Sequence, residues 1–239
     1  MAAKASFING ASELTFSSDA RTPAYLGQPT FVSTTQSVFD GVDTYDAGFS
    51  TFTITYTGQI IPAVKLVNTY TTRIVSCTQS GSVWTIHVDH GTTLDADGFV
   101  TQTLPTVYVF GFPVSLVGTV GIAIYDASGV LRCDLSRRPL WFTDRLPFPA
   151  SSTGVTIGTA RTVPAIVGNS SDFRRRRTGT ALVNYIFYFD DNAFTISASG
   201  LLVSRVFVQV QKILNTGAGT ASSTVYRAAD AYLIEATGL

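Results

Sequence analysis

The sequence predicts an all-β protein built from antiparallel β-sandwich domains, and two observations lead to this fold class. First, residues 51–57 alternate, so that Phe52, Ile54 and Tyr56 share one face of an extended chain and Thr occupies the positions between them. Second, the chain is rich in Thr, Ser, Gly, Val and Tyr, and only 13% of its residues are charged. The alternating segment predicts a strand, because a helix would scatter its apolar positions around the circumference.

Further strands are predicted wherever β-branched and aromatic residues run between turn residues. They cover residues 73–77, 83–88, 106–110, 121–125, 181–189, 194–198 and 202–214. The turns are predicted at dipeptides that suit a left-handed backbone: Asn9-Gly10, Asp40-Gly41, Ser80-Gly81, Asp97-Gly98, Ser128-Gly129 and Ser199-Gly200. Because residues 185–189 are apolar on both faces, their strand is expected to be central or covered. The best short helix candidate is residues 227–232, without a capping signal beside it.

A weak internal similarity predicts two tandem sandwich domains. Three landmarks recur in the same order roughly 120 residues further along, as a diverged duplication would leave them. The matched landmarks are Leu14 and Leu131, Gly81 and Gly200, and Tyr108 and Tyr232. The boundary falls near Gly118, which gives an N-terminal domain, 1–117, and a C-terminal domain, 118–239. Chance similarity between hairpins is the competing explanation.

The charge balance bears on the partners of this protein. Sixteen basic and sixteen acidic residues give zero formal net charge, which removes the whole-molecule electrostatic case for nucleic acid or an anionic membrane. A net charge near zero favours association, so a homo-oligomer is expected. No apolar stretch approaches the roughly 20 residues that span a bilayer, and the N-terminus lacks a secretory signal. We therefore expect a soluble protein without a membrane span, made in a cytoplasm.

Motifs for catalysis or metal binding are sparse, and the sequence predicts no enzyme and no cofactor. The two histidines, His87 and His90, fall on opposite faces of a strand, which disfavours a shared metal. Cys77 and Cys133 lack the paired spacing of a zinc site and are expected to be free, buried thiols. There is no Gly-x-Ser-x-Gly elbow for a nucleophilic serine.

Paired carboxylates are the remaining catalytic candidates, because two carboxyl groups can hydrolyse a glycosidic bond. Asp95 lies two residues from Asp97, Asp190 is adjacent to Asp191, and Glu235 is a further carboxylate candidate. Both pairs stand beside turn residues, which favours a role in the turns over catalysis.

The most conspicuous charged feature is a run of four arginines, Arg174, Arg175, Arg176 and Arg177. Because adjacent guanidinium groups repel one another, the run is expected in an exposed loop or at a strand edge. Three roles stay open: a solvated loop, a protein interface in which arginine pairs with carboxylates of a neighbour, and binding to DNA or an anionic glycan.

A second candidate interface combines charge with apolar surface. Arg137 and Arg138 precede Pro139 and Leu140, and Trp141 follows directly. Protein interfaces commonly join an apolar, aromatic core to a polar rim. We therefore predict that Arg137, Arg138 and Trp141 take part in protein–protein contacts.

Two short elements in residues 125–138 carry a resemblance. They are Tyr125-Asp126-Ala127-Ser128-Gly129 and Asp134-Leu135-Ser136-Arg137-Arg138. They resemble the Tyr-Asp-x-x-Gly and Asp-x-Ser-x-Arg elements of small tail-associated proteins of tailed bacteriophages, and residues 9–19 are similar to the same pattern. The resemblance implies a β-sandwich virion protein at the tail tip or fibre base. Cys133 and the arginine run depart from the pattern, so no binding residues are transferred.

Together these observations predict a structural subunit of a bacteriophage tail, located in the virion and made in the host cytoplasm. Its expected partners are other virion tail proteins, copies of itself, and a glycan or protein of the host surface. Nucleic acid is not expected as a partner. Two alternatives are a capsid or capsid-decorating protein and a carbohydrate-binding adhesin.

Overall fold

The computed structural model describes residues 4–9, 12–17, 21–35, 44–46, 49–69, 71–91, 104–115, 122–148, 155–158, 164–167, 173–178, 185–199, 202–215 and 229–239. Within these residues the regular structure consists of β-strands alone, and the predicted all-β fold class is confirmed. None of these residues belongs to a helix that could cross a bilayer.

The described residues form nineteen strands, numbered in chain order. They are β1 (Lys4–Asn9), β2 (Ser12–Ser17), β3 (Ala24–Gly27), β4 (Thr30–Thr35), β5 (Thr44–Asp46), β6 (Phe49–Thr55), β7 (Ile60–Lys65), β8 (Thr71–Ser80), β9 (Val83–Gly91), β10 (Val107–Gly111), β11 (Ala123–Tyr125), β12 (Leu131–Asp134), β13 (Phe142–Phe148), β14 (Val155–Gly158), β15 (Pro164–Val167), β16 (Phe173–Thr178), β17 (Tyr185–Ile196), β18 (Leu202–Asn215) and β19 (Ala229–Glu235).

These strands make two large sheets and two small hairpins. The six-stranded sheet has the order β13-β19-β15-β7-β10-β3. The nine-stranded sheet has the order β14-β18-β17-β8-β9-β6-β4, with β16 beside β17 and β5 beside β18. The hairpins are β1-β2 and β11-β12. Every pairing among the described strands is antiparallel.

The main hydrophobic core lies between the two large sheets. The nine-stranded sheet contributes Phe52, Ile74, Ile86, Val88, Phe194 and Ile196. The six-stranded sheet contributes Val64, Val107, Val109, Leu146, Ala231 and Leu233. These are mostly alternate positions along their strands, as expected when one face of each sheet turns inward. Two antiparallel sheets with interdigitating inner faces confirm the predicted β-sandwich.

A second core covers the other face of the six-stranded sheet. Tyr108 and Phe110 point away from the main core and pack with Ala63, Ala165 and Ile234. Leu140 and Ala236, which lie outside the strands, complete this cluster. Because both faces of the sheet are covered, every residue of β10 is buried.

The strands of the six-stranded sheet are arranged symmetrically about its centre: each strand from the N-terminal half has a counterpart from the C-terminal half at the same distance from the centre. Counting from the β7–β15 pair, β10 and β19 come next, and β3 and β13 form the two ends. In the centre, Val64 pairs with Ile166, and it follows Pro62-Ala63 just as Ile166 follows Pro164-Ala165. A duplication would produce this arrangement. Both large sheets take strands from either side of Gly118, and the division into domains 1–117 and 118–239 stays a prediction.

Several element boundaries differ from those predicted. The alternating strand begins at Phe49 and ends at Thr55, so Tyr56 lies beyond it. The predicted strands 181–189 and 194–198 are one strand, β17, because a bulge between Phe189 and Asp190 absorbs the irregularity without breaking the pairing to β18. Residues 229–235 form β19, which corrects the helix candidate 227–232. Pairing on both sides and burial of Ala231 and Leu233 override the local helical preference.

Two of the predicted turns are confirmed by their backbone geometry. Gly81 has a φ of 60° between β8 and β9, and Gly129 has a φ of 78° between β11 and β12. A side chain would be strained in this left-handed region. The turns at Asn9-Gly10, Asp40-Gly41, Asp97-Gly98 and Ser199-Gly200 include residues outside the described part of the chain.

Candidate interaction surfaces

The segment that leads into β13 joins the two ends of the six-stranded sheet. Pro139 bridges Ala24 of β3, and Phe142 pairs with Ile234 of β19. In a flat sheet β3 and β13 would be about 24 Å apart, at about 4.8 Å per strand. Three residues reach only about 10 Å, so the sheet curls and its ends approach each other.

Arg138 is fastened at this junction by its backbone and by its side chain. Its carbonyl accepts a hydrogen bond from the Tyr25 amide at 2.7 Å. Its guanidinium donates to the carbonyl oxygens of Thr237 and Glu235, the latter at 3.1 Å. Because Arg138 remains exposed, it keeps donor capacity toward a partner while it ties β3 to the segment after β19.

Three exposed aromatic residues lie near Arg138 and are called the aromatic cluster below: Phe142 and Tyr232, whose rings are in contact, and Trp141, which directly precedes Phe142. Each of these side chains is substantially exposed, and the rings of Phe142 and Tyr232 lie 5.5 Å apart. Thr143, the next residue, donates its hydroxyl to the carbonyl of Leu233 at 3.1 Å and holds the strand in place. Aromatic residues and arginine are enriched at the energetic centres of protein interfaces.

A groove of about 260 Å³ opens next to this aromatic cluster. Phe110 and Ile234 lie at its base, and the polar groups of Arg138 and Glu235 line it as well. Trp141 forms part of its wall, so the groove combines an apolar floor with a charged, aromatic margin. Its volume lies below the range of pockets that enclose a drug-sized ligand.

Arg137 does not share this groove, although it is adjacent to Arg138 in sequence. It lines a smaller cavity of about 30 Å³ together with Asp134 and Tyr56. The hydroxyl of Tyr56 donates to the carbonyl of Phe112 at 2.5 Å. Burial raises the pKa of Tyr56, and the nearby positive charge of Arg137 opposes this shift. The structure thus brings Arg138 and Trp141 together and places Arg137 elsewhere.

The run Arg174, Arg175, Arg176 and Arg177 lies within β16. This strand pairs with β17, with Arg174 opposite Asp190 and Arg177 opposite Phe187. The side chains of β16 lie outside the described part of the structure. The run belongs to the nine-stranded sheet, whereas Trp141 adjoins the six-stranded sheet, so the two predicted interface segments are in different sheets.

The two elements that carry the phage resemblance have local structural roles. Asp126 Oδ1 accepts backbone hydrogen bonds from Ser128 and Val130, both at 2.8 Å, and its Oδ2 accepts two bonds from Arg132. The bond from Val130 is the main reason that the pKa of Asp126 is lowered. Asp134 similarly accepts the amide of Ser136 at 2.9 Å. These residues define the hairpin β11-β12 and the turn after it.

A buried polar cluster in the nine-stranded sheet was not predicted. Ser50 and His90 are fully buried, and Ser50 Oγ lies 2.7 Å from His90 Nε2. Thr34 Oγ1 lies 2.8 Å from the same serine oxygen, so the cluster connects β4, β6 and β9. A substrate could not reach this serine without opening the sheet. The alternation of residues 87 to 90 predicted opposite faces for the two histidines but could not identify Ser50 as the partner of His90.

A buried ion pair lies on the neighbouring strands. Arg73 of β8 is directly opposite Asp89 of β9, and its Nε donates to Asp89 Oδ2 at 2.6 Å. His87 lies two pairs further along, opposite Ser76, with its Nδ1 3.0 Å from Ser76 Oγ. Burial lowers the pKa of His87. The two histidines therefore point to opposite sides of β9, as predicted.

The remaining catalytic candidates are the paired aspartates and the two cysteines, and those that the structure describes lie within the sheets and hairpins. Asp190 and Asp191 lie within β17 at its bulge, which corrects their predicted place in a turn. Asp95 and Asp97 lie outside the described residues.

Cys133 is buried as expected, and Cys77 is half-buried, with a pKa raised to about 11 by desolvation. A thiol of this kind stays protonated and is a poor nucleophile. The described residues contain no group of three metal-ligating side chains.

The fold and surfaces define an antiparallel β-sandwich with an exposed aromatic cluster at one sheet end. Comparison of the chain with protein-family models, with curated proteins and with solved structures found no match.

Proposed function

We propose that this chain is a non-catalytic structural subunit of a bacteriophage tail, at the tail tip or fibre base. In this role it contacts neighbouring virion proteins and further copies of itself. The observation that carries the proposal is the aromatic cluster of Trp141, Phe142 and Tyr232 beside Arg138. The phage tail is proposed as the assembly because residues 125–138 resemble elements of tail-associated phage proteins.

The cluster has the properties of an interface centre. Phe142 and Tyr232 expose a pair of contacting rings, Trp141 is exposed beside the groove, and exposed apolar surface of this kind commonly marks contact sites. Arg138 and Glu235 supply charge at the margin of the groove, which matches the usual division into an apolar core and a polar rim. The rings bury a large area on contact at a small cost in side-chain entropy.

Two further features support a structural role. The chain has zero formal net charge, which lowers the electrostatic barrier to close packing of subunits. Of the two serine–histidine contacts among the described residues, that of Ser50 and His90 is fully buried, whereas a nucleophile must reach its substrate.

The test is incorporation into phage particles. Mass spectrometry and antibody labelling in negative-stain microscopy should find the chain at the tail of purified virions. In a phage whose own copy is disrupted, complementation with the Trp141→Ala variant should reduce incorporation by roughly tenfold or more, because an aromatic anchor is removed. The matched control is Tyr125→Ala, which removes an exposed aromatic ring from the hairpin β11-β12.

Tyr125→Ala should be incorporated normally, and circular dichroism should show that both variants are folded. Absence of the chain from virions, together with a monomeric state in solution, would overturn the proposed function. Equal incorporation of the two variants would show that the aromatic cluster is not the contact that incorporates the chain into the virion.

Attachment to a host-surface carbohydrate is a second candidate function, and the groove favours it. An exposed tryptophan, an arginine and a glutamate border an apolar floor, and sugar rings stack on aromatic faces while their hydroxyls bond to charged groups. Titration calorimetry with purified host polysaccharide should show binding that Trp141→Ala abolishes and Tyr125→Ala preserves. No heat of binding with the unaltered chain would exclude this function.

A further inference from the structure

Strand β4 (Thr30–Thr35) ends the nine-stranded sheet, and among the described strands it pairs only with β6. Its residues include neither a charged residue nor a proline. These are two of the devices that natural sheets place on an edge to prevent further pairing. The chain has no charged residue anywhere between Arg21 and Asp40, so no charge would have to be desolvated in a contact there.

A bulge determines which side chains of β4 face the core. The pairing with β6 shifts between Phe31 and Ser33, so Val32 has no opposite residue. The extra residue allows Phe31 and Thr34, three positions apart, both to face inward. Phe31 contacts the core ring of Phe52 edge-on at 5.8 Å, and Thr34 bonds to Ser50.

Phe31 contacts the core but is not enclosed by it. Its side chain remains 42% exposed, and that of the neighbouring Val32 is 55% exposed. The main core thus ends at β4 with one apolar flank uncovered. A further strand beside β4 would cover this flank and would also pair with the outer backbone groups of the edge.

We propose that β4 pairs antiparallel with β4 of a second copy of this chain, across a two-fold axis. An antiparallel pair of identical strands is self-complementary, as a two-fold interface requires. Phe31 of each copy would extend the core of the other, and the zero net charge of the chain imposes no long-range repulsion between copies. This inference rests on the homo-oligomeric part of the proposed function and adds the place where copies meet.

The test compares one substitution at two sites. Val32→Lys puts a charge on the outer edge of β4. Val83→Lys makes the same change in β9, at a side chain that is 39% exposed, but on a strand paired with both β6 and β8. Sedimentation velocity of the full chain over two orders of magnitude in concentration should show a dimer for the unaltered protein. Val32→Lys should weaken it by roughly tenfold or more, and Val83→Lys should leave it unchanged.

Hydrogen exchange gives a second measurement that does not depend on a variant. The backbone amides of residues 30–35 should exchange more slowly at high protein concentration, while those of β13 should not change. An unaltered chain that stays monomeric, with no such protection, overturns both the homo-oligomer and the β4 contact. A dimer that responds equally to the two lysines, or to neither, overturns the β4 contact alone. Both results leave the test on virions to decide the proposed function.

Discussion

The two large sheets end in strands of opposite character. In the six-stranded sheet, β13 carries Asp144, Arg145 and Pro147, while Leu146 between them is buried in the main core. In the nine-stranded sheet, β4 carries no charge and no proline, and its inward-facing Phe31 is left half-exposed. The first edge therefore resists addition of another strand, whereas the second is suited to it.

Under the two proposals above, this difference corresponds to two modes of contact in one molecule. Near β13 the proposed contact surface consists of side chains, because the aromatic cluster and the groove precede or flank the protected edge. At β4 the contact would be made by the backbone, with Phe31 and Val32 adding apolar area. A subunit with both modes could pair with its own copy at one end and bind a different protein at the other.

The largest expected difference between the two edge strands is in how much their core-facing side chains contribute to the free energy of unfolding. Leu146→Ala should lower the free energy of unfolding by about 3 kcal/mol, because it leaves a cavity in the main core. Phe31→Ala should cost only about 1 kcal/mol, since much of its ring is already in water. Urea denaturation at a low protein concentration would measure both values. Equal losses would show that the edges are anchored alike.

A middle-sized effect is expected from the polar cluster that holds β4 to the sheet. Ser50→Ala should cost about 2 kcal/mol, because buried His90 loses a hydrogen-bonding partner. Thr34→Val removes only the bond from β4 to Ser50 and should cost about 1 kcal/mol. Thermal unfolding would rank the variants, and faster amide exchange in β4 should accompany both. If exchange in β4 does not change, the edge is held by other contacts.

The smallest expected effect is a pH dependence of stability caused by His87, which lies in β9 and not in an edge strand. Burial lowers the pKa of His87 in the folded protein, so the unfolded chain binds a proton more readily. The stability from neutral His87 is therefore fully present above about pH 6.5 and is lost as the pH falls below that value. His87→Gln should reduce the fall in melting temperature between neutral and mildly acidic pH.

Because β9 is paired on both sides, the pH effect of His87 should be independent of the association of copies. Because β9 lies between β6 and β8, the part of the acid sensitivity that His87→Gln removes should not depend on protein concentration. A strong concentration dependence would mean that His87 reports on the association of copies, which would contradict the assignment of that contact to β4.

Sequence patterns were most reliable where a strand has one apolar face. The alternation around Phe52 and Ile54 predicted β6, and Gly81 and Gly129 marked their turns. Strands with proline escaped prediction, because proline cannot donate to a ladder and usually argues against a central strand. Pro62 is nevertheless accommodated in β7, where the pairing with β15 covers only the residues that follow it.

The candidate interface was predicted only in part. Arginine beside an apolar, aromatic run identified Arg138 and Trp141, which share the groove. Adjacency could not reveal that Arg137 turns toward Asp134 and Tyr56 instead. Tyr232 was a landmark of the predicted repeat, and its contact with Phe142 arises from the pairing of β13 with β19.

By itself the sequence determined the all-β class, since alternation, β-branched residues and glycine turns are local properties of the chain. It also determined the charge balance and the unprotected composition of β4. Only the tertiary structure decided which strands are edges, which side chains form the aromatic cluster, and that Ser50 reaches His90. These features depend on pairings between residues far apart in sequence, and local preferences do not encode such pairings.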